Sequence, residues 1–129
     1  NLTINSGMEY NLLDSNGYKN TPSMAFIVLP DSKKSSSGNI AIDPKVTKLV
    51  GVYYTEKALK SSNGNSHEKL VIHGSVYGDI EPLLQTRTGI GNLEKDEGSI
   101  VIQYDERIFL NTPPGLNDFI DIQLEEVAR

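Results

Sequence analysis

Few residues in this chain are equipped for chemistry, and they are scattered. His67 and His73 are its two imidazoles, and it has no cysteine. A disulfide framework and a thiolate zinc site are therefore excluded. A cysteine-free zinc site would need both histidines joined by carboxylates such as Glu68 or Asp79. The stretch between them crosses the start of a strand-like run, and no spacing rule places them on one face. His67, in a Ser/Asn/Gly loop, reads as a solvated side chain, and His73 as a satisfied surface residue at a strand end. Asp14-Ser15-Asn16-Gly17-Tyr18-Lys19-Asn20 invites comparison with a calcium loop. It carries one carboxylate, an early glycine and no closing glutamate, so a hairpin turn is the simpler reading. The serines lack a nucleophile-elbow setting. Gly89-Ile90-Gly91 is half of a phosphate-binding fingerprint with no helix after it. Asp79, Glu81 and Asp105 are the candidates for a sugar-hydrolysing pair, whose separation sequence does not set. The expectation is a non-enzyme with no catalytic residues, cofactor or metal.

Binding is a better use of these residues. Tyr10, Tyr18, Tyr53, Tyr54, Tyr77 and Tyr104 join an apolar ring to a polar tip, as sugar-binding and protein-binding surfaces do. Tyr53 and Tyr54 adjoin, so on a strand one faces in and the other out. Tyr54, Tyr77, Asp79 and Arg87 are the surface residues expected to contact a ligand. A formal net charge of −5 argues against a nucleic-acid partner, which needs clustered Lys and Arg. The lysines at 33–34, 45–48 and 57–60 are diluted by serines and carboxylates. No stretch approaches the roughly twenty apolar residues that span a bilayer, so membrane attachment is expected only through a segment upstream of Asn1.

The elements that must position these groups read as strands. Short β-branched or aromatic runs occur at Leu2-Ile4, Tyr10-Leu13, Met24-Leu29, Ile40-Ile42, Leu49-Tyr54, Leu70-Ile72, Val76-Ile80, Ile100-Tyr104 and Ile120-Leu124. Helical periodicity is nearly absent, and Thr55 to Leu59 reads as a turn. Three runs echo at a spacing of thirty residues: Ile40-Ala41-Ile42, Leu70-Val71-Ile72 and Ile100-Val101-Ile102. A constant period suggests a chain winding through stacked turns. It predicts two interior columns, Ile40/Leu70/Ile100 and Ile42/Ile72/Ile102, with corners at Pro44 and near Gly74. The expected fold is all-β, a small irregular parallel β-helix-like stack with a C-terminal capping strand; a β-sandwich is the alternative. One domain is expected: edge strands over 1–23, a repeat core over 24–112 and a closing strand over 113–129. Polar loops at 31–37, 60–69 and 86–98 are the expected working surface.

The segment Gly38 to Tyr54, with Asp43-Pro44, Val46-Thr47 and Gly51-Val52-Tyr53, resembles an element of secreted, pilus-associated (PilX-like) proteins of candidate-phyla bacteria. Leu70 to Ser75, the loop bearing Arg87, and Asn111-Thr112-Pro113-Pro114-Gly115-Leu116 extend the resemblance, which covers about Met24 to Ala128. It implies a non-enzymatic structural or adhesive domain, extracellular or at the cell surface. The implied partners are other surface or pilus proteins, or glycans, with self-association into a homo-oligomer left open. Leu70 to Ile80 is also similar to a rung of the bactofilins, polymer-forming β-helix proteins, which implies a scaffold that assembles with itself. A carbohydrate-binding or carbohydrate-active β-helix is the remaining alternative.

Overall fold

Six strands and two short helices make up the computed structural model, which describes residues 1–10, 22–88 and 99–116. The strands are β1 (Leu2–Ile4), β2 (Ala25–Val28), β3 (Ile40–Ile42), β4 (Lys48–Ser61), β5 (Leu70–Asp79) and β6 (Ile100–Gln103). Helix α1 (Glu81–Thr86) follows β5, and α2 (Arg107–Leu110) follows β6. The fold is all-β in character. Every strand pairing among the described residues is parallel, in the order β1-β3-β4-β5-β6, with β2 added to β4.

Strand β4 is long enough to serve two separate strips of sheet. Its last residues, Leu59 to Ser61, pair with Ile40 to Ile42, which pair in turn with Leu2 to Ile4. Its first residues, Lys48 to Tyr54, pair with Val71 to Tyr77, and Leu70 to His73 pair with Ile100 to Gln103. The echo of thirty residues is therefore half real. Leu70 stands beside Ile100 and Ile72 beside Ile102, whereas Ile40 stands between Leu2 and Leu59. A corner explains the difference: at Asp43-Pro44 the chain turns, with Val46 N–H donating to the Asp43 carbonyl, before β4 begins. Like runs on opposite sides of a corner do not stack, whatever their period. Ile102, expected inside, is 47% exposed because β6 is the last strand of its path.

The inner face of both strips meets in one apolar core, which includes Ile40, Ile42, Leu49, Leu59, Leu70 and Ile72. Burying each such side chain fully contributes about 1.5–3 kcal/mol. Within β4, Gly51 pairs with Gly74 of β5. Both have positive φ, and a Cβ on Gly74 would lie 1.9 Å from the Gly51 carbonyl oxygen. The stacked glycines let two neighbouring strands bend together where any side chain would force them apart. The pairing of β4 with β5 runs through the expected corner near Gly74 without a break in register.

Two expectations give way. Thr55 to Leu59 is no turn: it continues β4 through a register shift between Tyr54 and Ala58. Helix α1 was not legible, because six residues with one buried side chain carry no period. Pro82 sits in its first turn, and Leu83 is fully buried in the main core. The expected hairpin at 14–20, with Tyr18, the Gly89-Ile90-Gly91 stretch and the closing strand at 120–124 lie outside the described residues.

Candidate binding surface

The outer face of β2, β4 and β5 carries an in-register row. Ile27 of β2 pairs with Tyr54 of β4, which pairs with Tyr77 of β5. Direct partners in a parallel ladder share a face, so the three side chains stand side by side at the strand spacing of about 4.8 Å. The Tyr54 and Tyr77 rings lie 6.5 Å apart between centroids, tilted by 39°. Tyr77 is 52% exposed and Ile27 is 41% exposed, while Tyr54 is half-buried between them. Tyr53 takes the opposite face. It is fully buried, stacks on Phe26 at 5.5 Å, and donates its hydroxyl to the Val50 carbonyl at 2.8 Å. Burial pushes the Tyr53 pKa well above the ordinary tyrosine range, with the Tyr10 hydroxyl adding to the shift. The Tyr53-Tyr54 pair thus divides as alternation requires.

What lies next to the row decides whether it is open. Two positions earlier, Val52 pairs with Ala25 and Ser75 on the same outer face. Ile108 and Leu116 pack over Val52 and Ala25 and form a second apolar cluster there. This cover leaves Ile27 and Tyr77 exposed. The outer face is therefore part roofed and part open, and the aromatic row lies in the open part.

The irregularity in β4 supplies polar groups beside it. Thr55 is buried and donates its hydroxyl to the Gly38 carbonyl, while Lys57 N–H donates to Thr55 Oγ1 at 3.1 Å. Gly78 lies directly over Thr55, where a Cβ would come within 2.7 Å of the threonine methyl. Glu56 and Lys57, between the paired positions Tyr54 and Ala58, are exposed. Bulges of this kind re-aim side chains at sheet margins. On β5, Asp79 stands two residues beyond Tyr77, and its Oδ1 accepts the Glu81 N–H at 3.0 Å at the start of α1. Tyr54-Thr55-Glu56 and Tyr77-Gly78-Asp79 thus repeat an aromatic–x–carboxylate pattern on adjacent strands.

Of the four residues expected at a binding surface, Tyr54, Tyr77 and Asp79 come together here. Arg87 does not. It is 2% exposed, and its guanidinium ties two segments remote in sequence by donating to the Glu68 carbonyl at 3.1 Å and the Asp43 carbonyl at 3.0 Å. Burial lowers its pKa, against which the charges of Asp43 and Glu68 work. Ser66 completes this corner: its backbone bridges Arg87, and its hydroxyl donates to the Pro44 carbonyl at 2.6 Å. Arg87 is a clamp inside the fold and not a surface contact. Sequence reading missed it because an arginine in a polar loop is usually solvated.

His67 lies at the same corner, with Nδ1 3.0 Å from the Thr88 carbonyl. Asp105 is buried, whereas Asp79 and Glu81 are exposed. Among the described residues no group of three or more His, Asp or Glu is placed to hold a metal ion, and no helix is long and apolar enough to cross a membrane. Ile27 was not singled out from sequence; only the register of β2 on β4 brings it to Tyr54. The chain matches no family model, no curated protein and no solved structure.

Proposed function

We propose that this chain is a non-enzymatic binding domain: a small irregular parallel β-helix that presents an adhesive face at a bacterial surface, in the manner of pilus-associated proteins. The observation that carries the reading is the in-register row Ile27–Tyr54–Tyr77, held on three parallel strands and left open beside a roofed part of the same face. The β-helical reading draws on two parallel strips that share β4 and enclose one core. The cell-surface location draws on the resemblance of Gly38 to Tyr54 and Leu70 to Ser75 to secreted, pilus-associated proteins. Assembly by end-to-end stacking, as in bactofilins, fits less well. Helix α1 packs against β4 and puts Leu83 into the core where a further strand would otherwise add.

The test is binding of the fluorescently labelled protein to bacterial cells. Saturable binding that disappears in the Tyr54→Ala/Tyr77→Ala double variant, with an unchanged circular dichroism spectrum, supports the reading. Equal binding by that variant rejects the row as the working face. Release of reducing sugar from a cell-wall polysaccharide, abolished in Asp79→Asn, would replace the adhesive reading with an enzymatic one.

A further inference from the structure

The turn after β4 exposes an Asn63-Gly64 pair whose chemistry is independent of the tyrosine row. Asparagine is a thermolabile residue, because the next main-chain nitrogen can attack its side-chain amide. We propose that Asn63 is a site of spontaneous deamidation and isomerisation, with water as the co-reactant. In the first step Gly64 N attacks Asn63 Cγ. The N–Cγ bond forms, the Cγ–Nδ2 bond breaks, and Nδ2 departs as ammonia with the proton that Gly64 N gives up. Water then opens the succinimide ring. Addition at Cγ breaks the new N–Cγ bond and leaves aspartate at position 63. Addition at the main-chain carbonyl breaks the original peptide bond and leaves isoaspartate, with the backbone routed through the former side chain. Nothing is oxidised or reduced, and either product adds one negative charge.

In a folded chain this attack is limited by access to the nitrogen and by main-chain freedom to bring it to Cγ. Gly64 meets both conditions. It has no side chain to shield its nitrogen, and nothing lies within 4 Å of a Cβ built on it. Asn63 and Gly64 are exposed, and among the described residues no hydrogen bond holds the Asn63 amide or the Gly64 N–H. The span is anchored at its ends instead. Ser62 N–H donates to the Ile42 carbonyl at 2.9 Å, and Ser66 N–H donates to the Thr86 carbonyl at 2.8 Å.

Neighbouring asparagines are protected by the fold. Asn65 is also exposed, but the nitrogen that would attack its Cγ is Ser66 N, engaged by Thr86 on a residue that is buried. Asn39 is half-buried, its Nδ2 donates to the Ser36 carbonyl at 3.1 Å, and its Oδ1 accepts the Ala58 N–H at 3.3 Å. The β-branched Ile40 also crowds the nitrogen that follows Asn39. Asn16-Gly17, the chain's other pair of this kind, lies outside the described residues. Modification at Asn63 thus adds charge, and in isoaspartate main-chain length, within the polar loop 60–69 and between anchors that stay in place.

The test holds the protein at physiological temperature in mildly alkaline buffer, folded or unfolded in guanidinium chloride. Tandem mass spectrometry then follows the exchange of NH2 for OH at each asparagine, and isoaspartyl methyltransferase labelling counts the isomerised product. Folding is expected to slow the reaction at Asn63 by less than about tenfold and at Asn65 by more than about tenfold. Gly64→Ala should slow Asn63 at least about tenfold by shielding the nitrogen. Asn63→Gln, changed at an exposed side chain, should keep the circular dichroism spectrum and lose the isoaspartate label from this loop. Three results would overturn the inference: Asn63 protected by folding as strongly as Asn65, an unchanged rate in Gly64→Ala, or a label from this loop that persists in Asn63→Gln.

Discussion

At the scale of single residues, the most consequential side chain for stability is Arg87. Its two hydrogen bonds tie the Glu68 and Asp43 carbonyls, which belong to successive passes of the chain. Arg87→Ala removes both donors and leaves a cavity where the buried side chain stood, so it is expected to cost about 3–5 kcal/mol, seen as a lower urea midpoint. Arg87→Met keeps the stem and removes the buried charge, and should cost about 2 kcal/mol. A midpoint unchanged in Arg87→Ala would show that the clamp contributes nothing. Tyr53 gives a pH prediction whose sign follows from its raised pKa. The neutral hydroxyl is the form the core accepts, so its contribution is complete below the ordinary tyrosine pKa of about 10. It is lost as pH rises beyond that toward the folded-state value. Urea midpoints measured between pH 9 and 12 should therefore fall less steeply in Tyr53→Phe than in the parent chain. Identical slopes would contradict the burial argument.

At the scale of elements, the paired glycines and the short helix make opposite demands. Gly74→Ala would set a methyl 1.9 Å from the Gly51 carbonyl, between backbones that have no room to separate. It is expected to prevent folding or to cost more than about 3 kcal/mol. Gly64 also has positive φ, but nothing lies within 4 Å of its added Cβ, so Gly64→Ala should cost only about 1 kcal/mol. Thermal melts of the two variants check the contrast, and equal melting temperatures would remove the stacking explanation. Helix α1 depends on Leu83 for its place. Leu83→Ala should destabilise by about 2–5 kcal/mol through lost burial and the cavity left behind. Leu84, its exposed neighbour on the same helix, should tolerate alanine within about 0.5 kcal/mol. These elements were unequally legible. β1, β3 and the start of β5 declare themselves as β-branched runs between turn residues, and their spans match. Helix α1 and the bulge over residues 55–57 do not, because each is set by contacts from other parts of the chain.

For the whole molecule, the parallel pairing has a kinetic consequence. Partners such as Leu2 and Ile40, Ile40 and Leu59, or Leu70 and Ile100 are remote in sequence, and no strand pair among the described residues is a hairpin that shortens the search. Each pairing closes a loop before its contacts form, so refolding from urea is expected in milliseconds to seconds. Stopped-flow tyrosine fluorescence reads this directly, since the chain has no tryptophan. Microsecond refolding would show that local contacts dominate.

The amino-acid sequence by itself determined the class of structure and of chemistry. It dictated strands separated by polar turns, the absence of thiol chemistry, and the opposite facing of Tyr53 and Tyr54. Those properties follow from residue type and from the two-residue period of a strand, which are local. Tertiary structure alone decided which runs stack. It separated Ile40 from Leu70 despite their shared period, because a corner at Asp43-Pro44 sends them to different strips. It also drew Arg87 inward, where the backbone carbonyls of two other turns converge. The aromatic row exists for the same reason: register between β2, β4 and β5 aligns three residues that no local pattern connects.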